Sequence, residues 1–418
     1  MVLVSHLHAA FIVMVIYLFH VSRNLTSIYY AVLGLVLLCF SFSVFCNAKR
    51  IKLTPLVCVL FVFVILCWVY VTLISVSHSD VYGAELVGVI RFWAAIPLLA
   101  VAAVLSRTSI EVPMRIVSVF FVFAALSYVW QYYFGAIGWF AEASERAGGD
   151  RFASLAGSLT AYGVMVGVPT LAALFFFKGL ARLLIFLVLT LGALMSLQKA
   201  ALANVVIAVL FSAWLGMVRW KTLMMAFFTA MLIVVFLIGS GVQEWGGNVS
   251  RQLIGAVTFN TEISTDVSFF DSVWDRLTDL PSEALGFYME HIVFGAGVFG
   301  GAGALGYPHY PMPHNGLVEV ISIFGVLVGG FIDLLLLFMF FFSMIGLLLR
   351  CKVVGSEVGF LYSAYAIWFI NYLFSGGGLF HPVGALIFWL VVFRILALGR
   401  DGRMHSNTPG SSCSAHGE

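Results

Sequence analysis

Apolar residues in this chain gather into runs of about 20, the length that crosses a hydrocarbon core of about 30 Å as a helix. Twelve such runs stand out, at 3–19, 27–46, 55–77, 86–105, 116–134, 155–177, 179–197, 201–218, 222–242, 326–349, 358–374 and 383–398. The pattern predicts an all-α polytopic membrane protein of about twelve transmembrane helices. The first run has no basic segment before it and no clear small-residue cleavage site after it, so it reads as a retained helix. Between the ninth and tenth runs lies a polar stretch, 243–313, that is 71 residues long and too long for a mere connector. Residues 1–242 therefore form one helical block, 243–313 a large loop, 314–399 a second helical block, and 400–418 a polar tail. Within the loop, 281–291 reads as a short amphipathic helix, and the six glycines between 295 and 306 mark a flexible or tightly turning segment.

Composition sharpens this picture. With 62% hydrophobic and 10% charged residues and a mean hydropathy of +1.08, the chain carries more apolar surface than a water-soluble core hides. The net charge of +2 offers no basic excess for nucleic acid. If the N-terminus is cytoplasmic, 14 of the 21 Lys and Arg residues fall in inner loops and the tail, leaving Arg23, Arg91, Arg146, Arg151, Lys199, Arg251 and Arg276. That bias places both termini in the cytoplasm and the large loop outside. All six cysteines then fall in spans or on the inner side, so no outer disulfide is expected.

Candidate chemistry collects on the outer side. The segment Pro311-Met312-Pro313-His314-Asn315-Gly316-Leu317 leaves the large loop and enters a helix where water meets lipid. Asn315 suits a helix cap, whereas His314 is the side chain able to exchange protons near neutral pH. Arg151 opens the sixth run, Lys199 lies at the outer end of the seventh, Arg276 precedes the amphipathic stretch, and Arg91 sits near the outer mouth of the fourth. Singly, each reads equally well as a snorkelling interfacial residue. Together they run against the positive-inside bias, and guanidinium forks match phosphate oxygens. Glu319 and Asp333 lie in or beside the tenth span, where ionisable groups are expensive. Glu319 suits either acceptor contact or helix packing, and Asp333 a pairing with another helix. No Asp-x-Asp occurs in an outer loop and no His/Cys cluster has metal spacing, so neither metal nor cofactor is expected.

These residues carry a family resemblance. The chain resembles the superfamily of O-antigen ligases and O-antigen polymerases, bacterial envelope glycosyltransferases. The resemblance rests on Arg151-Phe152-Ala153-Ser154-Leu155-Ala156-Gly157, on Ser196-Leu197-Gln198-Lys199-Ala200-Ala201-Leu202, on a large outer loop with Arg276 and Gly295-Ala296-Gly297, and on His314-Asn315-Gly316-Leu317. It covers roughly 151–349. It implies a GT-C-like fold with a partly helical periplasmic loop in the bacterial inner membrane. The implied reactants are an undecaprenyl-pyrophosphate-linked oligosaccharide donor and a glycan acceptor, and a chain-length regulator is a protein partner that the family's role leaves room for. In this reading His314 and Arg276 are catalytic. Arg151, Lys199, Arg276 and Arg91 bind pyrophosphate, and Asn315 and Glu319 meet the acceptor. His314 serves either as base or as a pyrophosphate contact. The acceptor is another lipid-linked repeat unit for a polymerase, the preferred reading, or lipid A-core for a ligase. A polytopic transporter or flippase is the alternative of another class; its key ionisable groups belong near mid-membrane.

Overall fold

The computed structural model describes residues 55–78, 102, 109–137, 143–146, 149–156, 160–196, 198–218, 274–301, 311, 313–349, 357–375, 379 and 382–400. The described chain is helical, with one small hairpin. Its helices are α1 (Pro55–Ser77), α2 (Glu111–Phe134), α3 (Ala161–Met165), α4 (Gly167–Phe176), α5 (Gly179–Met195), α6 (Lys199–Trp214), α7 (Asp279–Phe287), α8 (Gly316–Leu349), α9 (Glu357–Ser375) and α10 (Pro382–Arg400). Strands β1 (Ala143–Arg146) and β2 (Gly149–Phe152) pair antiparallel, with Arg146 opposite Gly149. Among the described residues four helices, in α1, α2, α8 and α9, are long and apolar enough to cross a membrane, and parts of α4, α5, α6 and α10 are shorter and apolar. This is the make-up of a membrane protein, since in lipid a helix satisfies its own backbone groups. The runs expected at 3–19, 27–46 and 222–242, and that at 86–105 save Ala102, lie outside the described residues, as do the polar tail beyond 400 and most of the loop before 274.

Helix α9 is the hub. Near its start, Glu357 takes a two-pronged grip from Arg394 of α10, at 2.7 and 3.0 Å, and Phe360 packs on Phe176 of α4 with ring centroids 4.7 Å apart. Midway, the Tyr365 hydroxyl donates to the Leu336 carbonyl of α8 at 2.8 Å. Near its end, Asn371 and Asn204 of α6 exchange amide hydrogen bonds, both at 2.7 Å. Such interhelical polar pairs contribute about 0.6–2 kcal/mol each in a membrane. Close approach of α3 and α4 depends on Gly163 of α3, which faces Gln198, and Gly167 of α4, which faces Ile367 and Asn204, a small-residue spacing that lets helix backbones touch.

The bundle has two chemically distinct ends. At one, Arg115 donates to the Phe176 carbonyl (2.6 Å), Arg182 to the Phe177 carbonyl (2.7 Å), and Arg394 holds Glu357. At the other, Arg276 Nη1 donates to the Phe374 carbonyl at 2.9 Å. The first three are cations that charge bias assigns to inner loops and Arg276 is one of the outer set; these four described residues fall at opposite ends of the bundle.

Helix α8 is bent, and the bend shapes the site. As one straight rod its 34 residues would measure about 51 Å, far more than a bilayer core. Gly325, at φ 76 and ψ 169, breaks it into a short leg, 316–324, and a membrane leg, 326–349. The membrane leg coincides with the expected tenth span and is about 36 Å long. The legs fold back on each other, since a Cβ at Gly329 would meet the backbone of Val320 and Ile321. The glycine-rich segment after the amphipathic stretch clamps this bend. Ala296 N donates to the Ser322 carbonyl and Val326 N to the Ile292 carbonyl, each at 2.8 Å, and Val298 N donates to Ser75 Oγ of α1 at 2.9 Å. Of the two expectations for these glycines, the described part, 295–301, takes the tight turn. Gly325→Ala meets both a backbone region reserved for glycine and the main chain of 293–295. It is expected to destabilise the protein by at least about 1–3 kcal/mol, read as a lowered Tm in detergent; an unchanged Tm would contradict this packing.

Candidate active site

The chain enters the short leg through His314, which at φ 49 is the one non-glycine residue of positive φ among those described. That left-handed turn lets Asn315 take the cap position. Asn315 Oδ1 accepts from Leu317 N at 3.0 Å and, more weakly, from Val318 N at 3.4 Å, satisfying amides that a helix start leaves open. The cap reading of Asn315 thus holds. Its Oδ1 is occupied by the backbone, which leaves the amide Nδ2 for any acceptor. One turn on, Glu319 is 2% exposed and acts electrostatically on Tyr372 of α9.

Arg276 comes to this entrance from the large loop. It stands ahead of α7, is half-buried, and is fixed to the end of α9 through the Phe374 carbonyl. Its positive charge acts on His314. Burial, first, and the Arg276 charge, second, push the imidazole down from the usual 6.5 to about 4. At neutral pH His314 is therefore an uncharged base with a cation beside it.

The depressed value also sets a pH dependence. Between about 6.5 and about 4 the unfolded chain binds a proton at this position that the folded chain refuses, so stability rises with pH across that window. The contribution is fully present above 6.5 and is lost as pH falls through 4. Melting curves in detergent between pH 7.5 and 4 are expected to fall more steeply for the wild type than for His314→Asn, whose side chain also tolerates the left-handed backbone; parallel curves would contradict the burial of a neutral imidazole.

Of the remaining residues chosen from sequence, Lys199 and Arg151 belong to elements at this same end of the bundle. Lys199 opens α6, five residues before the Asn204 that pairs with Asn371. Arg151 does not open a span. It stands opposite Ser144 in β2, which ends at Phe152, ahead of the expected run at 155–177, and the next helix begins only at Ala161. Behind this hairpin the chain is tied to the end of α2, where Gln131 Nε2 donates to the Ala153 carbonyl at 2.8 Å. Arg91 lies outside the described residues.

The sequence did not single out Tyr372, Asn204, Asn371 or the Phe374 carbonyl. The Tyr372 hydroxyl donates to Asp333 Oδ1 at 2.8 Å, which gives Asp333 the interhelical pairing expected of it. The two asparagines carried a signal, as amides inside otherwise apolar runs. No protein-family model matches this chain, and comparison with curated proteins finds no match either.

Proposed function

We propose that this protein is a metal-independent membrane glycosyltransferase, a polymerase of O-antigen or a related surface polysaccharide. It transfers undecaprenyl-pyrophosphate-linked glycan to a sugar hydroxyl of another lipid-linked repeat unit at the periplasmic face of the bacterial inner membrane. In this reading both termini are cytoplasmic and about twelve helices span the bilayer. The observation that carries it is the pairing of an uncharged imidazole, His314, with the guanidinium of Arg276 at one end of the bundle.

The chemistry follows from that pair. The anomeric carbon–oxygen bond to pyrophosphate breaks as the acceptor oxygen bonds to the anomeric carbon, and the hydroxyl proton passes to His314. Negative charge grows on the leaving pyrophosphate, where Arg276, with Arg151, Lys199 and Arg91, stabilises the transition state more than the ground state. The imidazolium formed beside Arg276 is offset by that same growing charge. These cations take the part a divalent ion plays elsewhere. The polyprenyl chain enters sideways from the bilayer, so the pyrophosphate stops at headgroup depth. A ligase would use the same pair and differ only in its acceptor, lipid A-core.

A second reading, a transporter or flippase, draws on the broken helix at Gly325 and on Asp333, 8% exposed within the membrane leg. The lipopolysaccharide gel of a deletion strain separates the three. Polymerase loss leaves core plus a single repeat. Ligase loss leaves bare core with polymer on the lipid carrier, and flippase loss strands lipid-linked units inside.

A further inference from the structure

Tyr372 stands where three pieces of the site meet. Its ring lies so close to Gly316, the first residue of the short leg, that a Cβ there would run into the ring carbons. Its hydroxyl reaches across to Asp333 Oδ1 on the membrane leg. Two residues further along α9, the Phe374 carbonyl holds Arg276. The last turn of α9 therefore packs against Gly316, two residues from His314, and holds Arg276 directly. Tyr372 itself is 1% exposed, and Asp333 uses one carboxylate oxygen for this bond while Oδ2 has no hydrogen-bond partner.

A carboxylic acid inside a membrane helix is costly to keep, and here its one hydrogen bond fixes the angle of a single tyrosine ring. We propose that Tyr372, anchored by Asp333, is a positioning residue for His314: its ring sets the entrance of the short leg against the end of α9, and so sets the spacing of His314 from the Arg276 that the same helix turn holds. Glu319, buried one turn into the short leg, acts electrostatically on Tyr372 as well; Gly316 and Asp333 set one leg of the hairpin against the ring and the other against its hydroxyl. Neither Tyr372 nor Asp333 is asked to touch substrate. The importance of this spacing for turnover rests on the transfer reaction proposed above; the spacing itself does not.

The test measures the two separately. Diethyl pyrocarbonate modification of His314, followed by mass spectrometry on the purified full-length protein in lipid nanodiscs, reports the imidazole's setting without reference to activity. Transfer assays report kcat and KM. In Tyr372→Leu and Asp333→Leu we expect His314 to be modified several-fold faster. We expect kcat to fall about 10- to 100-fold, as for a catalytic group displaced by about 1 Å, with KM within about twofold. Asp333→Asn keeps a carbonyl oxygen for the tyrosine hydroxyl and changes only the oxygen without a partner, so it is expected to rescue most of what Asp333→Leu loses. Tyr372→Phe keeps the ring, folds where the leucine variants fail to, and is expected to lie between wild type and Tyr372→Leu. Wild-type His314 reactivity in both Tyr372→Phe and a folded Tyr372→Leu would overturn the proposal. So would Asp333→Asn as damaging as Asp333→Leu, which would assign the role to the charge. If the wild type transfers no glycan while His314 reactivity still tracks these variants, the glycosyltransferase reading fails and the positioning role stands.

Discussion

His314→Gly is expected to lower glycan transfer by about 10²- to 10⁴-fold, the usual cost of removing a general base, while the protein still inserts and folds. Glycine is the informative replacement. His314 sits at φ 49, a conformation that glycine adopts freely and alanine does not, so the backbone that seats the Asn315 cap survives and the loss isolates the imidazole. His314→Ala is expected to abolish chain formation as well, with backbone strain added. The proposed mechanism asks for an acceptor of one proton, and the half-buried imidazole, held at about 4 and neutral at physiological pH, has the right charge before the step. A folded His314→Gly protein yielding wild-type glycan ladders would remove His314 from the chemistry.

Arg276→Ala is expected to be as severe, with Arg276→Lys restoring activity only in part. One arm of the guanidinium holds the Phe374 carbonyl at 2.9 Å while the charge acts on His314. The planar fork allows anchoring and phosphate recognition together; a lysine ammonium offers a point charge on a flexible stem. The same substitution has a second signature. Removing the guanidinium charge relieves the smaller part of what depresses His314, so its apparent pKa, followed by NMR of labelled histidine, is expected to rise in Arg276→Ala while staying below 6.5, because burial is the larger cause. Full transfer activity in Arg276→Ala would exclude it from the site.

Much of this architecture was legible in the chain because burial in lipid leaves a coarse signature. The runs at 55–77, 179–197, 358–374 and 383–398 reappear as α1, α5, α9 and α10 with ends shifted by two residues or fewer. The tenth span begins at the glycine break before it. The sixth run, 155–177, differs at its start, because hydrophobicity does not record where a helix begins: the helix appears only from 161, in two short pieces packed through Gly163 and Gly167. Within the site, His314 and Arg276 could be chosen from sequence because imidazole and guanidinium groups are chemically specific and stand at the loop's entry into a helix and ahead of its amphipathic stretch. Tyr372 could not, since one tyrosine in an aromatic-rich helix looks like any other until the fold sets Gly316 against its ring and Asp333 within reach of its hydroxyl. The Phe374 carbonyl carries no side-chain signal at all, and only tertiary structure reveals that it anchors the loop arginine.

The most direct measurement is transfer by the purified protein in liposomes supplied with a defined undecaprenyl-pyrophosphate-linked repeat unit, with and without EDTA. Elongated lipid-linked glycan is expected in both conditions, lost with His314→Gly and with Arg276→Ala. No elongation by the wild-type protein on a competent donor, or undiminished elongation by both variants, would contradict an imidazole–guanidinium pair acting on a lipid pyrophosphate.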